Sequence, residues 1–178
     1  SFFHGAGGRL TADYEDALKI PVKRVFCEGK SYHLGMEAAL KDMKNEGAEI
    51  ACFGDIDIES NRRWSEERCE SAGIGAVFPL WHRDRKENVR EIIELGYKCI
   101  IKSVNNTLLP KTLLGKFLDE ETLNIMEEYG IDVCGENGEY HTLTVDGPVF
   151  KRPVVFERRK ILDFGDYSVI DVEAGGLF

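Results

Sequence analysis

Gly135-Glu136-Asn137-Gly138-Glu139-Tyr140-His141-Thr142 places two carboxylates, an amide, an imidazole and a hydroxyl within eight residues, and Asp146-Gly147-Pro148 follows shortly after. Glycine lets a backbone bend where a Cβ would clash, and turn chemistry is satisfied by one Asn-Gly. Glu on both sides and His-Thr beyond exceed what a turn needs, so the stretch reads as a site. Glu136 and Glu139 are three apart, and on a tight loop both carboxylates can converge on one ligand, with Asn137 and Gly138 between them. His141 suits a general acid or base near neutral pH, and Thr142 can donate to a substrate oxygen. Taken alone, His141 fits a hydrogen-bonded strand histidine equally well. The catalytic candidates are Glu136, Glu139 and His141, and the substrate-binding candidates from this loop are Asn137, Gly138 and Thr142.

Further candidates lie upstream. Gly54-Asp55-Ile56 follows a short apolar run, where Gly54 would let a backbone approach a ligand and Asp55 could accept from a hydroxyl, hold a cation or merely cap a helix. Arg62, Arg63 and Trp64 open the next helical stretch, although cations there oppose the helix dipole. An Arg at such a position can reach an oxyanion with its planar fork, or lie on a solvated face. Phe78-Pro79-Leu80-Trp81 ends another apolar run, with Arg83 and Asp84 just after it. Trp81 could wall a planar group or pack in the core, and Arg83 suits a phosphate or carboxylate clamp.

These residues need a scaffold. Ile20 to Cys27 reads as a strand; Tyr32, Met36, Ala39, Leu40 and Met43 recur at helical spacing, a stripe read as core packing. Ile50–Phe53 reads as a strand, Ser60 to Ala72 as a helix, Ala76–Phe78 as a strand, Val89, Ile92 and Ile93 as a helix face, and Cys99–Ile101 as a fourth strand. Alternation of this kind predicts a parallel sheet with helices on its faces, and ligands in such sheets lie beyond the carboxyl ends of the strands. After a helix from about Asp119, strand patterns at Tyr140–Val145, Val154–Glu157 and Ser168–Val172 predict a smaller mixed or antiparallel region. The fold class is therefore α/β, a Rossmann-like parallel sheet over 1–104 with a smaller C-terminal mixed region over 105–178.

Composition removes other classes. The chain has 178 residues, 43% hydrophobic and 31% charged, and a net charge of −9. A nucleic-acid backbone binder carries a basic face, so nucleic acid is not an expected partner. No apolar run approaches the roughly 18 residues of a membrane span. Five cysteines without a Cys-x-x-Cys pair point to a reduced, cytoplasmic protein and give no metal site. Cys27, Cys52 and Cys99 sit in apolar runs and read as small hydrophobes, and Cys134 abuts the signature loop.

The loop also resembles the signature of the ATP-binding family that includes diphthine–ammonia ligase, a branch of the N-type ATP pyrophosphatases. Three other segments agree in the same order: Ser1-Phe2-Phe3-His4-Gly5, Phe53-Gly54-Asp55-Ile56, and Phe78-Pro79-Leu80-Trp81 with Arg83-Asp84. The resemblance implies ATP-dependent amide formation: a carboxylate attacks the α-phosphate, pyrophosphate leaves, and ammonia displaces AMP from the acyl-adenylate. It implies ATP and Mg²⁺ as cofactors, Gly54, Asp55 and Ile56 at the nucleotide, Glu139 orienting ammonia, and His4, Arg63, Trp81 and Arg83 among the substrate-binding residues. Members of the family begin with a Ser-Gly-Gly-Lys-Asp-Ser loop that grips pyrophosphate; it does not occur here, and the glycine-rich His4–Arg9 stretch reads as a connector. The chain by itself is accordingly expected not to turn over ATP. The diphthamide branch tends to carry Gly and Glu where this sequence has Asn137 and His141. That difference favours a small-molecule carboxylate over the protein substrate, elongation factor 2, and resembles a prokaryotic variant for which a role in corrinoid salvage is suggested. A homo-oligomer is left open. The rival reading is a nucleotide-binding module without catalysis.

Overall fold

The structure, a computed structural model, describes residues 8–27 and 31–175. The segment around His4 lies outside them. Two compact units emerge: the described residues of Ser1–Val22 with Arg85–Phe178, and Lys23–Asp84.

The first unit is built on a four-stranded antiparallel sheet in the order β4-β3-β6-β5, from β3 (Lys98–Asn105), β4 (Tyr140–Asp146), β5 (Phe156–Phe164) and β6 (Tyr167–Ala174). Helices α1 (Gly8–Leu18), α4 (Arg85–Glu94) and α5 (Glu120–Glu128) belong to the same unit. Its core gathers Leu10, Ile100, Ile101, Leu113, Leu123 and Met126, all fully buried. Near Cys99–Ile101 the side of β3 not taken by β4 is covered by 115–118: Ile101 N–H donates to the Lys116 carbonyl at 2.8 Å, and Leu118 N–H to the Cys99 carbonyl at 2.7 Å. A bulge between Ile101 and Ser103 accompanies the buried Lys102, whose Nζ donates to the Ile170 carbonyl at 2.9 Å. Burial pulls this amine below the ordinary lysine range, and Asp171 opposes the shift. Helix α5 opens with a capping box, Asp119 accepting from Thr122 N and Thr122 Oγ1 from Asp119 N, each at 2.9 Å; two orphan amides are thus satisfied. Tyr14 of α1 donates to the Thr144 carbonyl of β4.

The second unit has a parallel pair, β1 (Ile50–Cys52) with β2 (Gly75–Val77), registered Ala51 to Ala76. It also holds α2 (Tyr32–Asn45) and α3 (Glu59–Ala72), and a small core of Leu40, Cys69, Ala72 and Ile74. Gly73 ends α3 in the left-handed conformation, φ 70°, the commonest way a helix is stopped.

Four expectations need correction. Cys99–Ile101 is not a fourth parallel strand; β3 pairs antiparallel with β4 and β6. Its continuous apolar run reports burial on both faces, which a central strand shows whatever the direction of its neighbours. Residues 20–27 form no strand: with Phe26 91% exposed, the apolar run has no covering layer among the described residues. The described residues thus form a mixed α/β fold in which the parallel part is two strands, not a full Rossmann-like sheet. Cys52, read as a small hydrophobe within an apolar run, is exposed, whereas Cys69 and Cys99 are buried. Among the described residues no helix is long and apolar enough to cross a membrane.

Candidate functional site

In the first unit the signature loop joins α5 to β4 and is organised by Asp132. Its carboxylate accepts from Cys134 N at 3.0 Å and Glu136 N at 3.3 Å, and pairs with Arg85. The bond to Cys134, two residues on, is the Asx-turn pattern. Tyr140 anchors the far side, donating to the Val133 carbonyl at 2.6 Å; burial holds its phenol well above the ordinary range. Gly135 must be glycine: φ is 73°, and a Cβ there would meet the Tyr140 ring at 3.0 Å. Gly138, at φ 85°, completes the bend.

Glu139 faces inward, 5% exposed. One of its oxygens accepts from Asn137 N at 3.0 Å and the other from Asn137 Nδ2 at 3.1 Å. It therefore clasps the loop and fixes Asn137. Glu136 lies beside it, half-buried. His141 and Thr142 are half-buried on β4, opposite Ser103 and Ile101. Successive strand residues face opposite sides, so His141 leaves the sheet on the side away from Tyr140. The hydroxyl of Ser103, fully buried, has no partner among the described residues.

In the second unit Asp55 lines a cavity of about 280 Å³ with Tyr32, Met36, Phe53, Asn61, Trp64 and Ser65. Tyr32 and Trp64 stack at 5.5 Å between ring centroids. Gly54 is exposed, and the space a Cβ would take is open. Ile56 is buried, its carbonyl accepting from His82 N at 2.7 Å, so it holds the loop rather than meeting a ligand by its side chain. Phe53 stacks on Phe78 at 5.4 Å, and Trp81 meets Phe78 edge-on at 6.1 Å.

The arginine over these rings is Arg62, 4.7 Å from the Trp81 centroid and 5.3 Å from that of Phe78, with Nε on Glu66 at 2.8 Å. Arg63 and Arg83 are exposed. The structure therefore brings Asp55 to a cavity with Trp64, and gathers Glu136, Asn137, Gly138 and Glu139 in one loop. Tyr32 and Met36 were read as core packing, but Tyr32 is 60% exposed and both line the cavity: a helical stripe gives a face, not what covers it. Asp132 and Arg85 were missed; an Asp two residues before Cys134-Gly135 is the turn signal that could have pointed to the first. Among the described residues no cluster of three metal-ligating side chains forms.

A mixed α/β chain with a carboxylate-rich loop entering an antiparallel sheet is thus the class. A profile of the diphthamide synthase C-terminal domain matches residues 84–175, which include the whole signature loop. Curated relatives named diphthine–ammonia ligase include that of Danio rerio, 30% identical over 185 residues, covering 93% of this chain and 72% of that protein. That of Mus musculus is 32% identical over 176 residues, with 88% and 66% covered, and that of Bos taurus 29% over 181, with 91% and 68%. The chain belongs to the diphthine–ammonia ligase family, a family of ligases.

Proposed function

We propose that the protein containing this chain is an ATP-dependent ligase that joins ammonia to a carboxylate through an acyl-adenylate. The observation that carries the nucleotide side is the cavity where Asp55 stands beside the stacked Tyr32–Trp64 pair. A flat aromatic wall suits a purine, and a carboxylate suits a ribose hydroxyl. Residues 1–104 would serve the nucleotide and 105–178 the acceptor. Magnesium fits as a passenger: Mg²⁺ keeps its waters and rests on phosphates with one or two carboxylates, and Asp55 is the carboxylate at this cavity. When bound it would offset phosphate charge. Glu136 and His141 would face the acyl group and ammonia. Glu139 and Asp132 would keep the loop in shape, and Arg63, Trp81, Arg83 and His4 remain substrate-side candidates. The catalytic reading is preferred over a non-catalytic nucleotide module because the relatives carry the name of a ligase.

Diphthine, which names those relatives, is the first substrate to test. Asn137 and His141 favour trying small carboxylates, including corrinoid acids, beside it. The decisive experiment titrates the protein with ATP and GTP while following tryptophan fluorescence, then measures AMP release with ammonia and each carboxylate. Saturable ATP binding that weakens at least about tenfold in Asp55→Ala, with AMP formed only when a carboxylate acceptor is present, is the expected result. ATP binding indifferent to Asp55→Ala and Trp64→Ala would remove the nucleotide assignment; AMP release with no acceptor would remove the ligase.

A further inference from the structure

A second cavity, of about 400 Å³, opens in the first unit, and none of its lining residues belongs to the signature loop. Gly115, Lys116, Phe117, Asp119, Glu121 and, from β5, Arg158 are among the residues that line it. We propose that this cavity binds a small molecule carrying a single carboxylate on an apolar body, with Arg158 as the anion anchor.

The charge arithmetic selects Arg158. Lys116 is paired with Glu121 at 3.4 Å. Asp119 accepts the Thr122 amide as the cap of α5, so its carboxylate is already engaged. Arg158 has no carboxylate partner among the described residues; the nearby acids Glu157 and Glu173 pair with Arg159 instead, in a chain of net charge −9. Its guanidinium is held over two rings instead, 5.7 Å from the Phe117 centroid and 5.4 Å from that of Phe156. These cation–π contacts hold the guanidinium without spending its N–H donors on a carboxylate, and a planar fork of this kind suits a bidentate oxyanion. Gly115 makes the approach possible: a Cβ there would sit 3.2 Å from Arg158 Cδ and 2.9 Å from Ile170 Cδ1. Phe117, 37% exposed, supplies an apolar surface beside the guanidinium.

Arg158, the lining cation without an ion-pair partner among the described residues, matches one carboxylate. Lys116 and Arg158 are balanced by Asp119 and Glu121 in the lining, so it has no excess positive charge for a polyanion, and nucleotides and phosphomonoesters fit less well. The site is separate from the cavity assigned to ATP and does not rest on that assignment.

The test uses NMR shift mapping on the whole chain with three probes: 3-phenylpropionate, its neutral amide, and phenyl phosphate. Saturable shifts of the Gly115–Phe117 and Thr122 amides with the carboxylate are expected. The neutral amide should bind about tenfold more weakly or worse, as loss of a charged hydrogen bond predicts, and phenyl phosphate more weakly than the carboxylate. Arg158→Gln should weaken the carboxylate by the same factor, with Arg158→Lys recovering part of it. The neutral analogue tests the charge without altering the protein, so a misfolded variant would not decide the matter. No saturable shift at these amides, equal binding of carboxylate and amide, tighter binding of phenyl phosphate, or indifference to a folded Arg158→Gln would each overturn the proposal.

Discussion

At the scale of residues, the signature loop holds side chains that shape it and side chains proposed to act in the chemistry. Glu139 spends both oxygens on Asn137. In Glu139→Gln one oxygen becomes an amide donor facing a donor, so a stability loss of about 1–3 kcal/mol is expected, measured by urea unfolding. His141 behaves differently if it handles a proton: in the full-length enzyme His141→Gln should lower kcat on the order of 10²-fold while ATP affinity and melting temperature hold. A destabilised but fully active variant would take His141 out of the mechanism. The tyrosines govern the alkaline limit. Unfolded tyrosine ionises near 10.0, whereas burial, aided by Cys99, holds Tyr14 protonated up to about 12. Burial first, then Cys134 and Asp132, raises Tyr140 as well. Above pH 10 the unfolded chain therefore binds fewer protons than the folded one, and stability falls as pH rises; below it neither phenol contributes. Urea midpoints between pH 10 and 12 should drop less steeply in Tyr14→Phe than in the parent.

At the scale of elements, the helix expected from about Asp119 starts there in the structure, opened by a capping box. Asp119→Ala should cost about 1 kcal/mol, a shift of roughly 2–4 °C in melting temperature for a chain of this size. No change would mean that the tertiary contacts of Leu123 and Met126, rather than the cap, set the start of the helix. Helix α3 teaches the opposite lesson. Its early arginines break the dipole rule, yet Arg62 is accounted for by Glu66 and two aromatic rings, so a broken rule marked a built cluster. Strand β3 was legible as a strand from its apolar run but not in its direction, because Cys99–Ile101 carries no information about partners more than forty residues downstream.

At the scale of the whole molecule, the two units have cores of unequal size, one spread over α1, α4, α5 and the sheet, the other resting on Leu40, Cys69, Ala72 and Ile74. Regions with few buried apolar contacts open first. Hydrogen exchange should thus be faster in β1 and α3 than in the middle of β3. A saturating nucleotide should slow exchange in α2 and α3, since a ligand stabilises the state that binds it. Uniform exchange across both units, or nucleotide protection confined to β4 to β6, would contradict the assignment of Asp55 and Trp64 to the nucleotide.

Sequence alone determined the helices with strong periodicity, the strands near Tyr140–Val145 and Ser168–Val172, and the crowding of polar side chains in Glu136–Thr142, but it placed the intervening strand at Val154–Glu157 where β5 runs Phe156–Phe164. These are local properties: capping, turn chemistry and alternation act over a few residues. Tertiary structure alone decided that Glu139 turns inward to Asn137, that Asp132 reaches back to hold the loop with Arg85, that Tyr32 of a supposed core stripe stacks on Trp64, and that β3 joins an antiparallel sheet. The pairings of Asp132 with Arg85, Tyr32 with Trp64 and β3 with its neighbours join groups far apart in the chain, and even Glu139 and Asn137, two residues apart, meet because packing and hydrogen-bond satisfaction choose among partners that local pattern leaves equivalent.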